Sequence, residues 1–129
     1  CGRHPGRVGT YIGFEPTLSQ EIYAGADAFI MPSKSEPCGL AQMVACRYGT
    51  PPIIRETGGL RDSIHDCTLG EGNGFSAHEL YDACCRAQDR YYSKEDWNNL
   101  IKYDMECDFS WDVSAKSYEG LYNETANLW

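Results

Sequence analysis

The chain has 129 residues, of which 42% are hydrophobic and 12% aromatic, enough for one globular domain with its own core. Its formal net charge of −8 argues against a surface for nucleic acid or an anionic membrane, because such surfaces need a basic patch. No apolar run approaches the ~20 residues of a membrane span, and no segment resembles a signal peptide. We therefore expect a cytoplasmic protein with no nucleic-acid or membrane partner.

The first half of the chain predicts short strands that alternate with helices. Such alternation is typical of a parallel sheet with right-handed crossovers. β-type runs are expected at 8–12, as a buried strand at 29–31, and at 52–55, with helices over 17–25 and 39–48.

The second half predicts helices only. A loop is expected at 70–74, which holds three glycines. After it, helical spacing aligns one apolar stripe, made of Leu80, Cys84, Ala87 and Tyr91. The fold class predicted overall is α/β: a partial Rossmann-like parallel sheet with crossover helices, followed by a helical C-terminal tail.

Two serines are predicted to cap the last two helices. Ser93 and Asp96 have the spacing of a capping box, before a helix whose inward-facing residues are Trp97, Leu100 and Ile101. Ser110 is expected to cap a terminal helix with one aromatic face, formed by Trp111, Ala115, Tyr118 and Tyr122.

The seven cysteines and three histidines give no sign of a metal site. The cysteines are irregularly spaced and no pair has zinc-knuckle spacing, while the histidines are scattered. Cys84 and Cys85 are adjacent in a predicted helix and could not bridge without strain. We expect free thiols and neither a metal nor another cofactor.

The segment between the second strand and its following helix predicts a site for a phosphorylated substrate. The apolar run 28–32 is broken by Pro32 and Pro37, and a helix is expected to restart at Gly39. Backbone N–H groups of Gly39, Leu40 and Ala41 would then be free to hold a phosphate, with the carboxylate of Glu36 in the same loop. By residue type alone, a solvated loop glutamate is the commoner role for Glu36.

Several sequence blocks closely resemble bacterial glycogen synthases and plant starch synthases. The principal blocks lie at 26–33, 36–40, 47–50 and 57–62, and read ADAFIMPS, EPCGL, RYGT and TGGLRD. Shorter matches are GFE at 13–15, DFSW at 108–111 and AKSY at 115–118. The resemblance runs in order from about residue 7 to residue 122. Lys34 and Ser35 depart from it, because relatives usually have an arginine and an aromatic residue there.

The resemblance implies a retaining glycosyltransferase of the two-domain GT-B architecture. Such an enzyme would transfer glucose from ADP-glucose to the non-reducing end of an α-1,4-glucan. Residues 1–129 would form the later part of its C-terminal nucleotide-binding domain. The N-terminal domain of the same protein would then be missing, and the isolated chain is expected to be inactive.

The resemblance also implies roles for individual residues. Glu36 would be catalytic and face the positive charge that develops at the anomeric carbon. The other implied positions bind the donor or line its site: Phe14 would stack on adenine, the N–H groups of Gly39, Leu40 and Ala41 would hold the distal phosphate, and Cys38, Thr57 and Gly58 would form part of the site wall.

Two alternatives stay open. The chain could belong to a related retaining transferase that uses another nucleotide sugar, or it could be a non-catalytic module that binds a nucleotide or a glucan. The aromatic residues of the helical tail favour helix packing over a glucan platform. In the family the terminal helix crosses back to the N-terminal domain, so part of its aromatic face is expected to be exposed.

Overall fold

The computed structural model describes residues 2–64 and 76–128. Its elements, in chain order, are α1 (Pro16–Gly25), β1 (Phe29–Met31), α2 (Ala41–Arg47), β2 (Pro52–Ile54), α3 (Gly59–Ser63), α4 (Ala77–Tyr92), α5 (Lys94–Glu106) and α6 (Trp111–Ala126). The loop expected at 70–74 lies outside the described residues.

The two strands form the parallel pair that the sequence predicts, with α2 in the connection between them. Phe29 is in register with Pro52, and Met31 with Ile54. Strand β2 is buried along its whole length, whereas β1 is only half-buried and Ile30 is 48% exposed. The expectation of a fully buried β1 is therefore wrong. Within the described segments, β1 pairs with β2 alone, so its other edge is open.

The strand expected at 8–12 does not form. These residues have no regular secondary structure, and Ile12 is 94% exposed. A β-strand needs a neighbour that pairs with its N–H and C=O groups, and no described strand lies beside this segment. Residues 8–12 have the composition of a β-strand, but no strand among the described residues pairs with them.

Helix α1 begins one residue before the predicted position and is tied to β2 by a buried threonine. The carboxylate of Glu15 accepts a hydrogen bond from the N–H of Thr17, and Pro16 occupies the first turn, where its missing N–H costs nothing. At the other end, the buried hydroxyl of Thr50 donates to the Tyr23 carbonyl oxygen at 2.6 Å. This bond fixes the end of α1 against the start of β2.

The core lies between the sheet and the helices α2, α4 and α5. As predicted, Trp97 and Leu100 are buried on α5, and Ile101 packs partly buried against them. On α4, the predicted stripe is buried at Ala87 and partly buried at Leu80 and Cys84, and Ala83 beside it is buried as well. The stripe is exposed at its end, where Tyr91 is 44% exposed and meets Trp97 edge-on, with ring centroids 5.3 Å apart.

The caps of the last two helices differ from the prediction. Both helices begin where expected, but neither Ser93 nor Ser110 makes a side-chain capping bond. Instead, the Asp108 carboxylate accepts from the N–H of Ser110 at 2.9 Å. Hydrogen bonds from the side chain and backbone of Ser110 lower the pKa of Asp108, because they favour its charged form.

Helix α6 is exposed along its whole described length. Its aromatic face is the one the spacing predicts, and the Tyr118 and Tyr122 rings lie 6.3 Å apart. Trp111 is 86% exposed, so it packs in no core within the described structure. Of the tail aromatics expected to pack between helices, Trp97 does so, whereas the aromatic residues of α6 are exposed.

Four cysteines in the described segments carry free thiols: Cys38, Cys46, Cys84 and Cys85. Cys1 and Cys67 lie outside those segments. Across 2–64 and 76–128, no three metal-binding side chains gather into a cluster. None of the helices described here combines the length and apolar character needed to cross a membrane.

Two tryptophans in different environments test this core. We expect Trp97→Ala to lower the free energy of unfolding by about 3–5 kcal/mol, because it empties a buried site between α4 and α5. Trp111→Ala should change the same quantity by less than about 0.5 kcal/mol, since the side chain is exposed. Urea unfolding followed by circular dichroism measures both. An equal loss of unfolding free energy in the two variants would contradict the described packing. If Trp97→Ala does not fold, Trp97→Phe is measured in its place.

Candidate functional site

The candidate site forms where the two parallel strands end. Strand β1 leads into the segment 32–40, here called the glutamate loop, and β2 leads into the turn at 55–58. Because the strands are parallel, both segments leave the same edge of the sheet. This edge is where open α/β sheets bind ligands.

A glycine pair packs the turn directly against the main chain of the glutamate loop. The N–H of Gly59 donates to the Glu36 carbonyl oxygen at 3.0 Å. A Cβ atom on Gly58 would collide with that same oxygen, and one on Gly59 would lie 2.5 Å from the Cα of Cys38. Gly58 also has φ +49°, which disfavours other residues. The glycines therefore permit a backbone-to-backbone approach that side chains would prevent.

An arginine holds the other end of the glutamate loop. Nη1 of Arg55, just past β2, donates to the Lys34 carbonyl oxygen at 2.6 Å and reaches the Ser33 carbonyl oxygen at 3.4 Å. Arg55 is not among the site residues predicted from the sequence. Its position at the end of a buried strand is the only signal in the sequence, and its carbonyl partners lie more than twenty residues earlier.

Gln42 is a second residue that the sequence analysis missed. It is fully buried on the inner face of α2, and its Nε2 donates to the carbonyl oxygens of Gly39 (2.8 Å) and Cys38 (3.3 Å). The same nitrogen lies 3.0 Å from the hydroxyl of Ser63 on α3, so its two protons are shared among three acceptors. Its Oε1 is buried and accepts no hydrogen bond within the described structure. A polar residue on the inner face of a helix is the signal that could have drawn attention to it.

The predicted phosphate cradle lies mainly in the loop, ahead of the helix. Helix α2 begins at Ala41 and not at Gly39, because Gly39 has φ +74°, which is outside the right-handed helical region. Leu40 then returns to right-handed geometry. Such a change of hand gathers successive N–H groups into a concavity for anions. Among the described residues, the N–H groups of Gly39, Leu40 and Ala41 donate to no backbone carbonyl.

The structure brings most, but not all, of the predicted site residues together. Glu36 is half-buried and joined through its carbonyl to the Thr57–Gly58–Gly59 turn, and Cys38 lies exposed against the same turn. Phe14 is different, because its ring is 91% exposed on the irregular segment before α1. It is not packed beside the glutamate loop.

An open groove runs from the loop along the outer face of α2. Helical spacing places Leu40, Met43 and Val44 on one face, and this face lines the groove and not the core. The opposite wall is the connection between α5 and α6, which includes Phe109. Arg47 bridges the two sides by donating to the Met105 carbonyl oxygen at 3.0 Å.

A parallel α/β unit with a glutamate and an N–H concavity at its carboxyl edge fits a transferase that handles a phosphorylated donor. The sequence model of the glycosyl transferases group 1 family matches residues 8–90 of this chain. The chain belongs to that family.

Its most similar relatives include bacterial glycogen synthases. The chain is 48% identical over 126 residues to the glycogen synthase of Bacillus cereus, an alignment that covers 92% of the chain and 26% of the relative. It is also 48% identical over 130 residues to that of Desulforudis audaxviator, with 95% and 26% covered. The chain thus spans about a quarter of the length of these relatives.

A solved plant structure shares the fold. The catalytic domain of starch synthase IV from Arabidopsis thaliana, bound to ADP and acarbose, superposes with a TM-score of 0.74 and 38% sequence identity. The match covers 90% of this chain and 26% of that one. The parallel α/β organisation predicted from the sequence is therefore confirmed.

The glycine pair gives a direct test of the site's construction. We expect Gly58→Ala to lower the free energy of unfolding by about 2 kcal/mol or more, because the added methyl group meets the Glu36 carbonyl and the backbone is strained. Backbone amide signals of Glu36, Cys38 and Gly39 should move in the NMR spectrum. Gly25→Ala is the matched control, since no atom lies within 4 Å of its added Cβ. An unchanged stability in Gly58→Ala would show that the close approach is wrong.

Proposed function

We propose that this chain is the donor-binding part of a cytoplasmic glycogen synthase. The enzyme would move glucose from ADP-glucose to the non-reducing end of an α-1,4-glucan with retention of configuration. The observation that carries the proposal is the glutamate loop, fixed by the glycine pair at the carboxyl edge of the sheet. The 48% identity to glycogen synthases supports the choice of donor and acceptor.

The N–H groups of Gly39, Leu40 and Ala41 would bind the distal phosphate of the donor. Hydrogen bonds to this phosphate draw off the negative charge that grows as the glycosidic bond breaks, which makes ADP a better leaving group. The net charge of −8 does not oppose this, because the N–H groups act at short range. This assignment uses only the main chain, so the side chains of Leu40 and Ala41 are not expected to matter.

Glu36 would stabilise the sugar in the transition state. A carboxylate close to the anomeric carbon lowers the energy of the oxocarbenium-like species that forms there. Its main chain is already fixed by the bond from Gly59, so little reorganisation would be needed during the reaction. Cys38, Thr57 and Gly58 would line the space around the sugar.

Phe14 would stack on the adenine ring. The aromatic ring is 91% exposed, which leaves its faces available to a planar base. Its segment would have to settle over the donor site when ADP-glucose binds.

The remaining parts of the reaction would come from elsewhere in a longer polypeptide. The chain spans about 26% of the relatives' length, and an N-terminal domain would hold the glucan across a cleft. Holding donor and acceptor in line supplies much of the rate in such reactions. Basic side chains for the diphosphate would also come from elsewhere in the longer polypeptide.

Substitution of Glu36 tests its catalytic role. In the complete polypeptide that carries this chain, we expect Glu36→Ala to lower kcat about 10²-fold or more, because one preorganised electrostatic contact is lost. The Kd for ADP should change far less. Transfer of labelled glucose to glycogen measures the rate, and Glu21→Ala, on the exposed surface of α1, serves as the control. Near-normal turnover in Glu36→Ala would remove Glu36 from the mechanism.

Titration of the chain with ADP tests the phosphate site. We expect the backbone amides of Gly39, Leu40 and Ala41 to show the first and largest shifts in a ¹⁵N-edited NMR spectrum. UDP should produce smaller shifts at equal concentration if the adenine is recognised, so equal responses would favour a related transferase with another donor. A pattern centred on residues 70–74 would contradict the site assignment.

A further inference from the structure

We propose that Gln42 is a positioning residue of the donor site, which aims the N–H groups of Gly39 and Leu40 at the donor phosphate. The inference rests on the proposed function, because it concerns the same phosphate. Gln42 does not touch the donor in this proposal. It acts through two peptide groups of the glutamate loop, whose carbonyl oxygens it binds.

The orientation of the Gln42 amide is fixed by the chemistry of its partners. Two of them, the carbonyl oxygens of Cys38 and Gly39, can only accept hydrogen bonds. The third, the Ser63 hydroxyl, directs its own proton towards the Leu60 carbonyl oxygen at 3.4 Å, which leaves a lone pair for Nε2. A flipped amide would place Oε1 against two carbonyl oxygens. The amino group must therefore face the loop.

Peptide geometry converts this contact into a constraint on the N–H groups. The described chain has no cis peptide bond, and in a trans peptide the C=O and N–H point in opposite directions. The Cys38 carbonyl shares its peptide group with the N–H of Gly39, and the Gly39 carbonyl shares its own with the N–H of Leu40. Because both carbonyls turn inward to the buried amide, both N–H groups turn away from it.

The amide also strengthens these donors and couples them to α3. A peptide whose carbonyl accepts a hydrogen bond is polarised, so its N–H becomes a better donor. Through Ser63, the same nitrogen links the loop to the helix that begins at the glycine pair. Gln42 thus binds the 38–39 and 39–40 peptide groups, while Gly59 binds the Glu36 carbonyl oxygen.

The test compares ADP affinity with stability in the complete polypeptide that carries this chain. Gln42→Met keeps the length of the side chain and removes its donor, and we expect the Kd for ADP to rise about tenfold. The KM for the glucan should stay within about twofold, since no acceptor contact is changed. Calorimetry gives the Kd, and initial rates give the KM.

Cys46→Ala provides the matched control. Cys46 is as buried as Gln42 on the same face of α2 but makes no hydrogen bond to the loop. We expect Cys46→Ala to lower the melting temperature while leaving the Kd for ADP unchanged. If the role of Gln42 were purely structural, Gln42→Met would likewise lower the melting temperature and leave the Kd for ADP unchanged. That result would overturn the proposal.

A second variant covers the case in which Gln42→Met does not fold. Gln42→Glu keeps the shape but turns an oxygen towards the two carbonyls, so it should also weaken ADP binding about tenfold. Failure of the proposed function looks different, because the unsubstituted protein would then bind no ADP at all. Normal ADP binding in the unsubstituted protein and in Gln42→Glu would reject the positioning role alone.

Discussion

The approach of the Gly58–Gly59 turn to the main chain of the glutamate loop is the contact on which the site depends. It joins the carboxyl ends of two parallel strands without any intervening side chain, through the bond from Gly59 to the Glu36 carbonyl. The two main chains can lie this close only because neither Gly58 nor Gly59 has a Cβ atom. The position of Glu36 is therefore set by the sheet itself.

In the same region, one buried polar atom departs from the rule that such atoms accept or donate a hydrogen bond. Oε1 of Gln42 is buried and accepts no hydrogen bond within the described segments, an arrangement that costs about 1–3 kcal/mol. An apolar residue of similar size would avoid this cost but would leave the Cys38 and Gly39 carbonyls without their donor. Departures of this kind from an optimal core are expected at functional sites.

Elements whose signal is local could be predicted from the sequence, whereas contacts between distant residues could not. Helical spacing located α1, α4, α5 and α6, and short apolar runs located β1 and β2. The strand predicted at 8–12 is wrong because a strand depends on a neighbouring strand as well as on its own composition. The side-chain capping bonds expected of Ser93 and Ser110 also do not form, and before α6 the Asp108 carboxylate accepts from the N–H of Ser110, a contact that the cap motif does not predict.

The candidate site shows the same division. Glu36 and the glycines were evident as a motif, but the start of α2 depended on the φ angle of Gly39. Bonds from Arg55 to Lys34 and from Gln42 to Ser63 join residues about twenty positions apart, and no local pattern encodes them.

The manner in which the glutamate loop is held bears on how its sequence can change. Arg55, Gly59 and Gln42 all bind carbonyl oxygens of the loop, and every residue type supplies a carbonyl. Apart from Gly39, whose φ of +74° favours glycine, and the two prolines, side chains along the loop can therefore vary while these contacts are kept. Lys34 is an example, because it contributes its carbonyl oxygen to Arg55, a contact that does not depend on the side chain of Lys34. Substitutions at the other positions of the loop therefore need not disturb the main-chain contacts that hold Glu36 in place.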